Sequence, residues 1–300
     1  MLHVLTNNIL PIFSMLALGF VLGRMGKMSK SEAAAINRVA FLVLQPALIF
    51  PLINGIDWAE FRADAIGLYA GCQIIMFGIS YTVARHLLGR DVLEAWLLAM
   101  ATIFVNTLLY IWPISFLIYG KAAALPISSL VAWDSAVTFA FFIVTTDLMA
   151  NRQASAVQSL RRVVTNPILI AIALGLITNI LNIPLSEPIR TATDFIGAGA
   201  APLTLFALGV ILSGHAIKPS VTITTISALK LLVFPLLVWG ALHIGQRPAS
   251  WNTLLVLSAA GPSGAMAFAL AMLHGVRTDQ IAPVVIWTSL LSLLSLAWLA

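Results

Sequence analysis

The sequence predicts an all-α polytopic membrane protein, with ten transmembrane helices arranged as two inverted repeats of five helices each. Three observations lead to this prediction: the composition, the number of long apolar segments and a weak internal repeat. Of the 300 residues, 60% are hydrophobic and only 9% are charged, and the mean hydropathy is +1.01. A soluble domain carries about a quarter charged residues. So few charges cannot cover an aqueous surface, and the chain is therefore expected to lie within a lipid bilayer.

Ten segments of the chain are apolar and long enough to cross a bilayer. A transmembrane helix needs about 20 predominantly apolar residues. The predicted spans are 6–24, 36–54, 63–84, 93–118, 122–148, 164–182, 188–213, 221–244, 252–273 and 280–299. The loops between them are short and leave no room for a separate soluble domain.

The basic residues of the loops predict how the helices are oriented. Cytoplasmic loops of membrane proteins carry an excess of lysine and arginine. The loops after the odd-numbered spans hold eleven of these residues, whereas those after the even-numbered spans hold four. Both termini are therefore expected on the non-cytoplasmic side. Although the net charge is +5, the basic residues stand singly in short loops, and no nucleic-acid partner is expected.

The two halves of the chain share a weak internal repeat. Pro46-Ala-Leu-Ile-Phe50 corresponds to Pro202-Leu-Thr-Leu-Phe206, at nearly the offset that relates three further pairs. These pairs are Trp96 and Trp251, Asn106 and Gly261, and Gly120 and Gly275. Because each unit has an odd number of spans, the second copy must enter the membrane in the opposite sense. The predicted domains are a first repeat at 1–150, a cytoplasmic linker at 151–163 and a second repeat at 164–300, an architecture typical of secondary transporters.

Helix-breaking residues interrupt the fourth and the ninth predicted spans near their middle. The fourth holds Asn106 two turns before Pro113, and the ninth holds Gly261-Pro262-Ser263-Gly264. A break at bilayer depth leaves backbone N–H and C=O groups without partners, which is tolerated only where protein or a water-filled cavity satisfies them. A pair of breaks in corresponding halves of a transporter indicates its binding site. We therefore interpret the two breaks as parts of one site.

The residues at the breaks predict an anion as the ligand. The Asn106 side chain can donate and accept hydrogen bonds. The half-helix that follows Pro262 would begin near the bilayer centre, where its free N–H groups and positive dipole end attract negative charge. Pro113 and Pro262 are expected to hold the helices open. The alternative is a pair of kinked packing helices, because glycine and proline are common in transmembrane segments, but the symmetry of the pair favours function.

Two charged residues lie inside predicted spans, where a charge is costly and indicates function. Asp134, in the fifth span, could pair with a cation, carry a coupling proton, or hydrogen-bond the groups that a broken helix leaves free. Lys230, in the eighth span, could act in coupling or in locking the domains, or could extend its ammonium group to the cytoplasmic surface. Gln45 and Thr204 occupy corresponding positions in the second and seventh spans, and both are expected to support the site as hydrogen-bond donors.

Enzymatic chemistry finds no support in the sequence. Gly261-Pro-Ser263-Gly has the form of an intramembrane serine protease nucleophile, which needs a histidine base within hydrogen-bond reach. His274 lies further along the same helix, about 16 Å away at 1.5 Å per residue. The sequence holds no H-E-x-x-H and no phosphate-binding glycine loop, and Cys72 is its single cysteine. We therefore expect no catalytic residue, metal ligand or cofactor, apart from a coupling proton or sodium ion.

The opening of the chain and the spacing of Asn106 and Pro113 form a specific pattern. The opening motifs are Leu10-Pro-Ile-Phe, Leu18-Gly-Phe-Val-Leu-Gly-Arg-Met-Gly-Lys-Met-Ser29 and Asn37-Arg-Val-Ala-Phe-Leu-Val-Leu-Gln-Pro46-Ala-Leu-Ile-Phe50. This pattern resembles the auxin efflux carrier family, and within it the bacterial permeases of the malonate-transporter type. The family is part of the bile acid, auxin, arsenite and riboflavin transporter superfamily. A softer likeness continues to the end of the chain.

The resemblance implies a scaffold domain and a transport domain, with two broken helices that cross in the transport domain and bind the substrate there. Transport would follow an elevator-like movement. In the family the first crossing helix offers an asparagine, which Asn106 matches, and the second offers another, where this sequence has Met266. The predicted substrate-binding residues are therefore Asn106, Gly261, Ser263, Gly264 and Met266.

These observations predict a secondary active transporter that moves a small organic anion, a carboxylate, across a bacterial inner membrane by alternating access. Two alternatives stay open. One is a sodium-coupled organic-anion symporter of the bile-acid type, and the other is a channel or membrane sensor without turnover. The expected partners are the organic anion and the lipid bilayer, and assembly as a homodimer is left open.

Overall fold

The computed structural model describes residues 1–150, 156–244 and 247–300, and within these ranges the chain is helical and forms no β-strand. The helices in chain order are α1 (Leu2–Arg24), α2 (Lys30–Asn54), α3 (Ala63–Leu87), α4 (Val92–Ile103), α5 (107–119), α6 (124–150), α7 (Ala156–Val164), α8 (Pro167–Ile180), α9 (Glu187–Ser213), α10 (Val221–Leu242), α11 (Ala249–Ala259), α12 (Met266–Leu273) and α13 (Ile281–Leu299). The all-α prediction is thus confirmed.

Seven helical stretches of the described residues are long and apolar enough to cross a membrane, judged by length and composition. They are α1, α2, α3, the stretch that contains both α5 and α6, α9, α10 and α13. Helix also occupies the three remaining predicted segments, but there it is short or interrupted: α4 and α8 are apolar helices of fewer than 18 residues, and α11 and α12 are separated by a break. The chain is a multi-pass membrane protein. The number of ten spans and their inverted repeat remain predictions.

Prolines bend several helices without ending them. Wide helical turns precede Pro11, Pro46, Pro113 and Pro235 in α1, α2, α5 and α10. Proline lacks an N–H group and its ring clashes with the carbonyl four residues earlier, and a wider turn accommodates both defects. The prediction that Pro113 breaks its helix is therefore wrong: helix continues on both sides of it, and the interruption lies earlier, at 104–106.

Side-chain caps and one glycine set several helix boundaries. Ser29 and Glu32 form a reciprocal capping box, and α2 consequently begins earlier than the predicted span. The Asn166 side chain accepts from the N–H of Ile168 at 3.0 Å and so caps α8. Between α5 and α6, Gly120 has φ 58°, a left-handed conformation that only glycine adopts readily, and it separates the two helices.

The helices pack in two groups. In the first, α1 packs against α9, and α2 against α8 and α9. In the second, α3 packs against α4 and α10, α10 against α11 and α13, and α12 against α4. Between the groups, α5 contacts α9, and α6 contacts both α2 and α11. Both interrupted segments therefore belong largely to the second group.

The predicted linker 151–163 is helical where the structure describes it. Residues 151–155 lie outside the described residues, and the rest of the linker belongs to α7. This helix packs against the end of α6, where Arg162 forms an ion pair with Asp147 at 2.6 Å. The linker is thus held against the helix that precedes it.

Candidate functional site

The two breaks predicted from the sequence meet in the structure. The first break, residues 104–106, separates α4 from α5, and the second break, residues 260–265, separates α11 from α12. Val105 and Ser263 form an antiparallel backbone bridge. The Asn106 N–H donates to the Pro262 carbonyl at 3.0 Å, and the Gly264 N–H donates to the Phe104 carbonyl at 2.7 Å. Each break thereby satisfies backbone groups that the other leaves free, as a membrane interior requires.

Two glycines of the second break allow this close approach. A Cβ atom on Gly264 would lie 2.6 Å from Cδ1 of Phe104, and one on Gly261 would clash with the Ile111 side chain. Both glycines are buried against the first broken segment. They were predicted to bind substrate, and in this structure they serve to pack the two breaks together.

Ser263 ties the second break to its surroundings. Its side chain is 1% exposed, and its hydroxyl donates to the Ala101 carbonyl at 2.7 Å. Its N–H donates to the Thr288 hydroxyl oxygen, in α13, at 3.2 Å. The hydroxyl predicted to line the substrate site is therefore occupied by a backbone acceptor in this conformation. Thr288 was not predicted, and the signal for it is a hydroxyl in the middle of an apolar span.

The carbonyl ends of the two upstream half-helices are each bonded by a side chain from a neighbouring helix. At the end of α4, the Ile103 carbonyl accepts from Nε2 of Gln73, in α3, at 3.1 Å. At the end of α11, the Ala259 carbonyl accepts from Nζ of Lys230, in α10, at 2.6 Å. Helix C-termini have unpaired carbonyls and a partial negative charge. The Gln73 amide supplies a hydrogen-bond donor to the carbonyl end at the first break, and the Lys230 amine supplies one at the second.

Lys230 is enclosed by protein. Its side chain is 0% exposed, and its Nζ lies 5.0 Å from the centre of the Phe234 ring. The alternative in which its ammonium group reaches the cytoplasmic surface is therefore wrong. The Ser295 hydroxyl donates to the next carbonyl, that of Ala260, at 3.0 Å, so that two consecutive carbonyls have side-chain donors.

Asp134 is buried at the first break and holds the start of α5. One carboxyl oxygen accepts from Nε2 of Gln73 at 2.8 Å, and the other accepts from the Thr107 hydroxyl at 3.2 Å. Gln73 is itself oriented by the Trp133 indole, which donates to Oε1 at 2.7 Å. Both contacts are to side chains and neither is to a backbone group of the break, so the three interpretations of Asp134 stay predictions. Gln73 and Trp133 were not predicted, although a lone amide in an apolar span was a visible signal.

Gln45 and Thr204 form a hydrogen bond with each other, but in the described part of the chain they make no contact of this kind with the crossing. Nε2 of Gln45 donates to the Thr204 hydroxyl oxygen at 3.2 Å, and both side chains are buried. The bond joins α2 to α9 in the first group of helices. Among the described residues no hydrogen bond links this pair to the crossing, so its predicted support of the site is not direct here.

Four helix ends meet at the crossing: side chains bond the two carbonyl ends, and the two helix starts have no side-chain cap. The end of α4 is bonded by Gln73, the start of α5 lies at Asp134, and the end of α11 is bonded by Lys230. The start of α12 has Ala265 as its N-cap, which offers no side-chain hydrogen bond. Throughout the part of the chain that the structure describes, no side chain bonds the N–H of Met266 or of the residues that follow it in the first turn.

Of the predicted substrate-binding residues, Asn106 and Met266 remain accessible. Both are partly exposed, whereas Gly261, Ser263 and Gly264 are buried. The side-chain amide of Asn106 makes no hydrogen bond within residues 1–150, 156–244 and 247–300. The accessible part of the crossing thus offers an unpaired amide and an uncapped helix N-terminus. In the same described ranges, no group of three or more His, Cys, Asp or Glu side chains could hold a metal ion.

Known proteins resemble the chain along nearly its whole length. The sequence profile of the membrane transport protein family matches residues 151–299. A protein of Rhizobium meliloti (strain 1021), provisionally named as a malonate transporter, is 27% identical over 299 residues, which cover 96% of this chain and 92% of that protein. An uncharacterized transporter of Methanothermobacter thermautotrophicus is 26% identical over 295 residues, which cover 97% of this chain and 96% of its own.

The membrane transport protein family, whose profile covers the second half of the chain, is the auxin efflux carrier family that the sequence motifs resemble, so that this resemblance is confirmed. The family and both relatives are transporters and not enzymes, and the protein is a membrane transporter.

Proposed function

We propose that this transporter moves a small organic anion, a carboxylate, and binds it at the crossing of the two breaks. The observation that carries the proposal is the uncapped start of α12, at the same crossing as the unpaired amide of Asn106. A helix N-terminus presents free N–H groups and a partial positive charge, which together favour an anion. The Asn106 amide adds a neutral donor, so that a carboxylate can be bound without a salt bridge.

A dicarboxylate is the first substrate to test. The Rhizobium meliloti relative carries a provisional name as a malonate transporter, and malonate has two carboxylates on a short chain. One carboxylate would accept from the α12 N–H groups and from Asn106. Met266, which begins α12 and is partly exposed, would contact the body of the substrate.

The proposed mechanism is alternating access by an elevator-like movement. The second group of helices, which contains the two breaks, would move against the first group as a transport domain against a scaffold. Two features support this division: the helices pack in two groups, and side chains of the second group bond the carbonyl ends of the half-helices. The location would be a bacterial inner membrane, with both termini on the non-cytoplasmic side, as the basic loops predict.

The direct test is Asn106→Ala in reconstituted vesicles. We expect uptake of labelled malonate to be abolished, because the crossing would lose the amide donor that Asn106 supplies, while the melting temperature stays unchanged. Asn7→Ala, which changes an exposed asparagine near the N-terminus, is the matched control and should transport normally. Undiminished uptake by folded Asn106→Ala protein would show that the crossing is not the binding site.

A second measurement separates a carrier from a channel or sensor. Vesicles loaded with unlabelled malonate should accumulate labelled malonate transiently above its equilibrium level, because a carrier exchanges substrate across the membrane. A channel cannot do so, and a sensor would show binding without flux. Absence of this exchange in vesicles that bind malonate would overturn the carrier proposal.

A further inference from the structure

The linker helix α7 turns apolar side chains outwards. Leu160 and Val164, four residues apart, lie on the same face of the helix and are 58% and 60% exposed. Arg161 shares this outer face and is exposed as well. The opposite face is turned to the protein, where Ser159 is 1% exposed. The apolar side chains are therefore on the side of α7 that the protein leaves uncovered.

Contacts of the inner face fix how α7 is rotated about its axis. Arg162 forms an ion pair with Asp147, in α6, at 2.6 Å. Nε2 of His274, which follows α12, lies 2.9 Å from the same carboxyl oxygen. Val163 packs against the hydrophobic core. Because these residues are held, the outer face of α7 cannot turn toward the protein.

The neighbours of α7 indicate that it lies at the membrane surface. It packs against the end of α6, where Leu148 and Met149 are exposed apolar residues. Only two residues separate it from the apolar helix α8, which begins at Pro167. An amphipathic helix in such a position lies along the bilayer boundary, with its apolar face in the acyl region and its basic groups at the headgroups.

The charge of the linker favours anionic lipids. Residues 151–166 include three arginines and no acidic residue. The ion pairs formed by the described residues include Arg162 but not Arg161, so the Arg161 guanidinium group is available to a partner outside the chain. A guanidinium group donates paired hydrogen bonds to phosphate oxygens, and basic segments beside a span are attracted to anionic headgroups.

We propose that α7 is a membrane-surface helix that binds anionic phospholipids of the adjoining leaflet. Leu160 and Val164 enter the boundary between the headgroups and the acyl chains, and Arg161 binds a lipid phosphate. Arg162 stays on Asp147 and holds the linker to the end of α6. The inference is independent of the substrate, because it concerns only the contact between the linker and the bilayer.

The first experiment measures the depth of α7 in the membrane. In a Cys72→Ala background, Leu160→Cys or Val164→Cys carries a fluorophore, in nanodiscs of phosphatidylcholine and phosphatidylglycerol whose two faces are open to solvent. We expect both labels to be quenched several-fold more strongly by a lipid with a nitroxide near the top of its acyl chain than by iodide in the water. Arg277→Cys, at an exposed residue of the loop after α12, is the control, and iodide should quench its label more strongly.

Two outcomes of the depth measurement would overturn the proposal. Labels on α7 that are quenched mainly by iodide would mean that the outer face lies in water. Labels that are shielded from both quenchers would mean that protein, such as a second copy of the chain, covers this face.

The second experiment measures the dependence on lipid charge. Melting temperatures are compared in phosphatidylcholine nanodiscs with and without phosphatidylglycerol. We expect phosphatidylglycerol to raise the melting temperature of the unchanged protein by several degrees, because a ligand that binds the folded state stabilises it. Arg161→Gln should lose most of this rise, whereas Arg161→Lys, which keeps the charge, should retain most of it. Lys218→Gln, at an exposed basic residue of another loop, is the matched control and should respond like the unchanged protein.

The lipid comparison decides the inference even if the Cys72→Ala protein does not fold. A rise of full size in Arg161→Gln, or no rise in the unchanged protein, would overturn the proposal. An equal loss in Lys218→Gln would also overturn it, because the rise would then reflect a general attraction between basic loops and the membrane.

Discussion

At both breaks a half-helix ends in a backbone carbonyl that accepts a hydrogen bond from a side chain, but the donor is a different chemical group in each. At the first, a neutral amide from Gln73 bonds the end of α4, and the buried carboxyl group of Asp134 lies at the start of α5. At the second, the amine of Lys230 bonds the end of α11, and the start of α12 has no side-chain cap. The acidic residue therefore lies at a helix start, which is partially positive, and the basic residue at a helix end, which is partially negative.

The difference teaches that two interrupted helices can have their carbonyl ends bonded by different chemical groups. Gln73 and Lys230 each bond the last carbonyl of a half-helix, yet one offers an amide and the other an amine. The start of α12 has no side-chain cap and begins at the partly exposed Met266, and we propose that it receives the charge of the substrate.

The largest expected effect comes from separating the two breaks. Gly264→Ala places a methyl group 2.6 Å from the Phe104 ring and disturbs the bond between Gly264 N–H and the Phe104 carbonyl. Overpacking of this kind costs about 1–3 kcal/mol, occasionally more. We expect a lower melting temperature and no malonate uptake. Gly71→Ala, a glycine in α3 with open space around it, is the control and should be neutral or stabilising. Normal uptake by Gly264→Ala would mean that the crossing can loosen without loss of function.

An intermediate effect is expected at the buried carboxyl of the first break. Asp134→Leu removes the acceptor of both Gln73 and Thr107, and an unpaired buried polar group costs about 1–3 kcal/mol. Asp134→Asn retains an acceptor oxygen and should keep most of the stability, but lose uptake because the charge at the start of α5 is gone. Asp194→Asn, at an exposed aspartate, is the control and should leave both the melting temperature and malonate uptake unchanged. If the asparagine variant transports normally, only the hydrogen bonds of Asp134 matter.

The smallest effect is expected at Ser263. Ser263→Ala removes the bond to the Ala101 carbonyl, a loss of about 1 kcal/mol in unfolding free energy. Because the hydroxyl faces a backbone acceptor and is buried, the KM for malonate should stay unchanged, in contrast to Asn106→Ala. A raised KM at an unchanged melting temperature would instead place the Ser263 hydroxyl on the substrate, as the sequence alone suggested.

Much of the candidate site was visible in the sequence. Asn106 and the segment around Pro262 mark the breaks because residues that cannot continue a helix stand out in an apolar span. The side chain of Asp134 was visible for the same reason, since charge is rare at bilayer depth. Gln73 and Thr288 are visible in the sequence only as polar side chains in apolar spans, and their bonds to the breaks come from the structure.

The sequence by itself determined that this is a helical membrane protein, where its two broken segments lie and that one acidic and one basic residue are buried in its spans. These are local properties, because hydropathy and helix breaking depend on neighbouring residues. Only the tertiary structure decided that the breaks meet, that Ser263 bonds Ala101, that Lys230 turns inward and that Pro113 bends its helix without breaking it. Those contacts join residues far apart in the chain, and their geometry follows from how the helices pack.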